Sequence, residues 1–252
     1  NIDFDYLVGS SINGFDLSVK ISDAPLIIIV GDEYLSSPMD LKSKFLWYNP
    51  HISIITGIAY DHINVFPTFD SYIDTFKKYM NTHVSKGQFF WDKNDIHLQK
   101  LAEESLSSNM AYDTPVYKNT SNGSLISYAG SWYPLEIVGK HNLENIHAAQ
   151  LVCEQLGVSG DEFYQAIKEF SGAGKRMEKI FDQNGQVVYR DFAHSPSKLK
   201  ATTEAIKDSF EGKLIAVFEL HTFSSLTKDF LPLYKNTMDA ADHAIVFYND
   251  AI

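Results

Sequence analysis

Blocks of apolar residues divide this chain into segments of two different periods. The stretch 24–30, bounded by Pro25 and Gly31, is a short continuous apolar run. It predicts a fully buried strand of the kind used in parallel sheets. Ile52 to Ile58 (ISIITGI) repeats that pattern. Each run ends in a polar cluster, GDEYLSSP after the first and AYDHINVFP after the second. In doubly wound α/β folds, ligand groups gather beyond the carboxyl ends of strands, so both clusters are candidates for chemistry. Further along, 69–84 reads as a helix, GQFFWD as a short strand, and 95–105 as a second helix. SLISYAGSWYPLEIV predicts a hairpin turning at Gly130, followed by an amphipathic helix within 138–158 and another over 161–170.

SGAGKRMEKI then breaks the periodicity with three small residues and a basic pair, which places a domain boundary near Gly172. Asn184-Gly185 predicts a type I′ hairpin turn. VVYRDFAHSP leads into a helix over 197–210, and KLIAVFEL and HAIVFYN read as buried strands with a helix between them. The order of elements predicts an α/β protein of two units, 1–172 and 173–252, the second beginning another parallel sheet.

Composition narrows the function classes. The 252 residues are 44% apolar, enough for a packed core. The net charge of −11 argues against general binding to nucleic acid or to anionic membranes. No apolar run is long enough to span a bilayer, so membrane insertion is not expected. Cys153 is the only cysteine, which excludes an intrachain disulfide and fits a reducing, cytoplasmic setting. Its place in an apolar helix predicts core packing. The chain begins without Met and ends on what reads as an emerging strand, so the expectation is a part of something longer.

Several residues can carry chemistry. His62, after the second strand, is either a metal ligand with Asp61 beside it or a loop histidine bonded to backbone. Asp32 and Glu33 are either oxygen donors for Mg²⁺ or a solvated acidic turn. Asn142 can cap the helix that it opens. Asn145 lies three residues on, on the same face, where an amide suits the edge of a purine. Lys175 and Arg176 sit at the expected hinge, where a guanidinium can clamp a phosphate or simply be exposed. Asp191 and His194 precede a helix; Asp191 or Ser195 can also serve as its cap. The chain has no G-x-x-x-x-G-K-[ST] phosphate loop, no CxxC pair and no HExxH motif.

Taken in order, GDEYL, DH, GKHNLEN, GAGKRME, DFAHSP and FELHTFSSL resemble the Mur ligases, over essentially the whole chain. Glu33-Tyr34, KSKF at 42–45 and HTFSSLTKDFLP look like the branch that joins UDP-N-acetylmuramate to a tripeptide, and the alanine-adding branch is the near alternative. The resemblance implies a central ATP-binding domain followed by the start of a Rossmann-like C-terminal domain. The family's phosphate loop would fall ahead of Asn1, and without it the chain alone would lack ligase activity. By the same resemblance the cofactors are ATP and Mg²⁺, and the substrates are UDP-N-acetylmuramate and an amino acid or peptide. His141, Asn142 and Asn145 match the family's nucleotide-facing His-Asn-x-x-Asn motif. His62 matches its magnesium-binding histidine, Arg176 its phosphate-contacting arginine, and Asp191 its nucleotide-contacting aspartate, with His194 nearby. His62 and Arg176 would be the catalytic groups. Val30 stands where the family carries a metal-binding glutamate, leaving Glu33 as the nearby carboxylate. Ala59 replaces an acidic residue, and Ser195 a second histidine. Valine cannot ligate Mg²⁺, so a degenerate, non-catalytic nucleotide-binding relative is the other expectation.

Overall fold

The computed structural model describes residues 2–249. Three short strands open it: β1 (Asp5–Leu7), β2 (Val19–Lys20) and β3 (Ile27–Ile29). They lie in the order β2-β1-β3, with β1 antiparallel to β2 and parallel to β3. The parallel pairing agrees with the apolar run at 24–30, but the expected full burial does not hold. Ile27 and Ile28 are each 49% exposed and Val30 is 52% exposed. β3 is an edge strand, and no layer among the described residues covers these side chains.

β4 (Ile52–Ile55), β5 (Gln88–Asp92) and β6 (Ser108–Tyr112) form a parallel sheet with β5 in the centre. α1 (Phe69–Met80) and α2 (Ile96–Glu104) pack on one face. α3 (Lys140–Gln155) packs on the other, through Ala148, Leu151 and Val152. Alternation along a strand sends neighbouring side chains to opposite faces. Thus Phe89 joins the α1/α2 core and Phe90 the α3 core, both fully buried. β4 stops three residues short of the expected Ile58, whose N–H donates to Asp95 Oδ2 at 2.6 Å. Asp95 also caps α2 by accepting from the N–H groups of His97 and Leu98, so one carboxylate ties the helix start to the β4 loop. α1 is capped reciprocally by Thr68 and Ser71 and ends at Met80, not at the expected Val84. There the Asn81 N–H turns back to the carbonyls of Lys78 and Tyr79.

An antiparallel meander follows: β7 (Tyr117–Thr120), β8 (Gly123–Tyr128) and β9 (Ser131–Leu135). β8 and β9 make the expected hairpin, turning at Ala129-Gly130 with φ of 47° and 83°. The meander packs on α3 and on α4 (Gly160–Ala166), which continues as a 3-10 turn to Glu169. Cys153 is half-buried against this core, as its helical position predicts.

β10 (Glu178–Gln183) and β11 (Gln186–Arg190) form the second predicted hairpin, with φ of 56° at Asn184 and 73° at Gly185. α5 (Pro196–Ser209) leads to β12 (Ile215–Leu220) and β13 (His243–Tyr248), which pair in parallel as expected. The helix expected between them is replaced by 3-10 turns at Ser224–Leu226 and Leu231–Tyr234. Thr222 and Ser225 exchange side-chain bonds to each other's N–H, and Pro232 has no N–H to give, so an α-helix is interrupted twice. β12 and β13 were expected to be buried; only Phe218 is, and every residue of β13 is exposed. Val138, Met177 and Ala205 bury one another with Tyr189, Ile206 and Phe210 and join the segments before and after Gly172. No helix among the described residues is long and apolar enough to cross a membrane.

Phe90→Ala empties a fully closed position and is expected to lower unfolding free energy by about 3–5 kcal/mol. Urea titration of the two chains measures this; a loss under about 1 kcal/mol would contradict the two-sided core.

Candidate functional site

The loop after β4 is wound around His62. Its carbonyl accepts from the N–H groups of Val65 (2.8 Å) and Phe66 (2.9 Å), and its own N–H donates to Asp61 Oδ1 at 2.7 Å. The residue takes a left-handed φ of 57°, uncommon for a side chain of this size. Its ring then faces the loop after β3. Nε2 lies 3.7 Å from Glu33 Oε1, and the Tyr34 ring meets the imidazole edge-on at 4.8 Å. Tyr72 of α1 donates its hydroxyl to Glu33 Oε1 at 2.8 Å, and Asn64 Nδ2 donates to the Tyr34 hydroxyl at 2.8 Å. The two polar clusters singled out in the sequence therefore meet. Asp32 does not join them. It takes Lys44 Nζ at 2.5 Å and the Tyr34 N–H at 2.8 Å, so the structure reads it as an ion-paired turn residue and not a free metal donor.

His194 reaches this cluster from the other side of Gly172. Its Nδ1 lies 2.9 Å from the Phe192 carbonyl; a carbonyl only accepts, so Nδ1 carries the hydrogen. Nε2, on the other edge of the ring, lies 3.6 Å from Asp61 Oδ2. The Tyr234 hydroxyl donates to the His194 carbonyl and fixes the loop. Burial raises the Tyr234 phenol to about 12, with the Asp61 charge adding to the effect. Asp61 is 6% exposed. Burial alone would raise its carboxyl, but His194, His62 and Lys198 outweigh burial and hold it below its ordinary value. Oδ2 is buried without a hydrogen-bond partner.

These residues fit a cation. The His62 imidazole nitrogen and the Glu33 carboxylate oxygen, 3.7 Å apart, are both donor types that a metal ion accepts. The unsatisfied Asp61 oxygen adds negative potential nearby. Among the described residues no group of three or more His, Cys, Asp or Glu side chains forms a metal cage. Mg²⁺ at a nucleotide needs none, because it keeps waters and phosphate oxygens and takes one or two protein donors.

A second cluster surrounds the start of α3. Gly139, not Asn142, is the N-cap, with φ of 94°. A Cβ there would lie 2.9 Å from the Ala205 Cβ and 3.1 Å from His141 Cε1. Asn142 sits inside the first turn and donates Nδ2 to the Val138 carbonyl at 2.9 Å. Asn145 is exposed, and its side chain has no hydrogen-bond partner among the described residues. Capping therefore explains neither asparagine. His141 lines a cavity of about 220 Å³ with Lys140, Glu144 and the α5 residues Ala201 and Glu204. Burial lowers its imidazole below the ordinary value, although Asp191 and Glu144 pull it upward. Asp191 accepts from the N–H groups of Met177 and Ala193, both at 2.7 Å, and from the Thr202 hydroxyl at 3.2 Å. It holds the loop instead of capping α5, whose N-cap is Ser195 without a side-chain bond. Arg176 is exposed, with its guanidinium 5.1 Å above the Phe192 ring.

Residues 191–194 thus link the two clusters: Asp191 lies towards His141, Phe192 under Arg176, and His194 against Asp61. The sequence did not single out Tyr72 or Tyr234, since a tyrosine's position in the chain carries no sign of its hydroxyl's target. A separate opening of about 370 Å³ lies beyond the ends of β4 and β5, lined by Ala59, Asp92, Asn94 and His97.

Two family models match: Mur ligase middle domain over residues 35–153, and Mur ligase, glutamate ligase domain over 175–251. The chain belongs to the Mur ligase family. It is 30% identical to a UDP-N-acetylmuramate--L-alanine ligase of Caldicellulosiruptor bescii, covering 95% of this chain and 54% of that protein. It is 26% identical to the UDP-N-acetylmuramate--L-alanyl-gamma-D-glutamyl-meso-2,6-diaminoheptandioate ligase of Escherichia coli, covering 85% and 50%. The chain spans about half the length of the curated relatives it matches. A murein peptide ligase structure from Psychrobacter arcticus has the same fold, with a TM-score of 0.65 at 21% identity over 97% of this chain and 57% of that one.

The lowered His141 value sets a pH dependence. Below the ordinary 6.5 the unfolded chain takes the proton first, so stability falls with pH until the folded value is passed. His141→Gln is expected to remove that loss; denaturation midpoints at pH 7.5 and 5.5 compare the two, and equal slopes would contradict the burial of a neutral ring.

Proposed function

We propose that this chain is the nucleotide-handling part of a cytoplasmic, ATP-dependent peptidoglycan ligase. In this reading residues 1–172 belong to the central domain and 173–252 to the C-terminal domain. The observation that carries it is the joining of Glu33, Asp61 and His62 to His194 from the far side of Gly172. A site shared between two units suits a reaction that brings a nucleotide and two further substrates together. The family chemistry activates the UDP-N-acetylmuramate carboxylate by transfer of the ATP γ-phosphoryl group. The resulting acyl phosphate is attacked by an amine, and phosphate leaves.

Here Asn145, with Asn142 and His141, holds the adenine nucleotide. Arg176 neutralises phosphate charge, and His62 with Glu33 holds Mg²⁺. Bound Mg²⁺ supplies further charge neutralisation at the phosphates. Asp191 keeps the 191–194 loop in register and lies beside the nucleotide. His62 and Arg176 are the groups nearest the transferred phosphoryl. The amine is a murein tripeptide or L-alanine: Glu33-Tyr34 and the HTFSSL segment favour the first, and the 30% against 26% identities favour the second.

In the full-length protein carrying this chain, ADP release is expected only with UDP-N-acetylmuramate and one of these amines, and that amine names the branch. ADP release with neither amine overturns the ligase reading. Val30 supports a second reading, a non-catalytic relative; a large gain of turnover in Val30→Glu would exclude it. Asn145→Ala is expected to weaken nucleotide binding about tenfold with little change in Tm, by calorimetric titration. A lower Tm with unchanged affinity would make Asn145 a helix residue only.

A further inference from the structure

Tyr72 is 3% exposed inside a ring of aromatic side chains: Phe66 at 5.0 Å, Phe76 at 5.2 Å, Tyr60 at 6.0 Å and Phe69 at 6.5 Å. A phenylalanine would fill that place equally well. The hydroxyl makes one hydrogen bond, to Glu33 Oε1 at 2.8 Å, across 39 residues of sequence. The oxygen that receives this bond is the one 3.7 Å from His62 Nε2. Glu33 is only partly covered, and its side chain has no other hydrogen bond among the described residues.

A carboxylate three residues past Val30 leaves the backbone at a different point, so it needs its own means of reaching the histidine. We propose that Tyr72 is a positioning residue, whose hydroxyl fixes the Glu33 carboxylate beside His62 as a cation donor in place of one at position 30. This rests on the reading of Glu33 and His62 as the metal-binding pair. Partners of this kind hold a ligand in one rotamer and commonly change metal affinity 10- to 100-fold.

The test is Mn²⁺ binding to the chain, followed by the electron paramagnetic resonance signal of the free ion. Tyr72→Phe is expected to weaken Mn²⁺ binding about tenfold or more while Tm changes little. Glu33→Gln is expected to weaken it at least as much, and adding Tyr72→Phe to Glu33→Gln should cost nothing further. Unchanged affinity in Tyr72→Phe, beside a clear loss in Glu33→Gln, overturns the positioning role and leaves the metal pair standing. Additive losses in the double variant overturn it as well. Unchanged affinity in Glu33→Gln, or no Mn²⁺ binding by the unaltered chain, overturns the metal pair and the proposal together. Should Tyr72→Phe lower Tm, Glu33→Asp provides a second arm, because it keeps the charge and withdraws the carboxylate from the hydroxyl; full affinity there overturns the proposal.

Discussion

The two-faced burial of β5 is the constraint on which the rest depends. A three-stranded parallel sheet has little surface of its own, so each face must be closed by helices. Phe89 and Phe90 do this from adjacent positions, one locking α1 and α2 and the other α3. With those helices set, the carboxyl end of β4 and the first turn of α3 lie in fixed relation to the sheet. Asp61 and His62 hang from the first, and His141, Asn142 and Asn145 from the second. Both clusters are thus positioned by the same buried strand, although they are about 80 residues apart in sequence.

The second half of the chain is attached at a narrow seam. Val138, Met177 and Ala205 supply its apolar part, and Gly139 is required there because a side chain would strike Ala205. The loop 191–194 crosses the seam with its two polar side chains, Asp191 and His194, at its ends. Asp191 spends both oxygens on backbone and hydroxyl donors, which makes the loop rigid. His194 can then stand opposite a carboxylate whose Oδ2 has no hydrogen bond. For an acidic chain, any anion site depends on such local donors and cations, because the overall charge works against it.

Much of this was legible in the sequence, for identifiable reasons. The turns at Ala129-Gly130 and Asn184-Gly185 depend on two residues each, and their chemistry is local. The strand-end clusters were legible because apolar runs in parallel sheets end where ligands bind. What was not legible depends on distant chain. The exposure of β3 and β12–β13 follows from which layers cover them, and periodicity says nothing about that. Asn142 has the right residue type to cap α3, one of its two readings, but Gly139 takes the cap where Ala205, 66 residues away, leaves no room for a side chain. The role of Tyr72 was hidden because a phenol in an aromatic helix face looks like core until its hydroxyl's partner is known.

Arg176, like Lys42 over Trp47 and Lys118 over Trp132, is held by an aromatic ring and not by a carboxylate. Lys20, Lys44, Lys77 and Lys93 each face a carboxylate, so an incoming anion would first have to displace one. Arg176 instead lies with its guanidinium carbon 5.1 Å from the Phe192 ring centre and has no ion pair among the described residues. Lys175 and Met177, on either side of it, both take left-handed φ values, 59° and 47°, which fixes the backbone that carries it. An aromatic face satisfies a guanidinium without neutralising its charge. On a chain of net charge −11, a phosphate-binding role for this residue would depend on local steering as much as on contact. Its signature would lie in the association rate, which falls steeply with ionic strength, while the dissociation rate reports the contacts made after arrival.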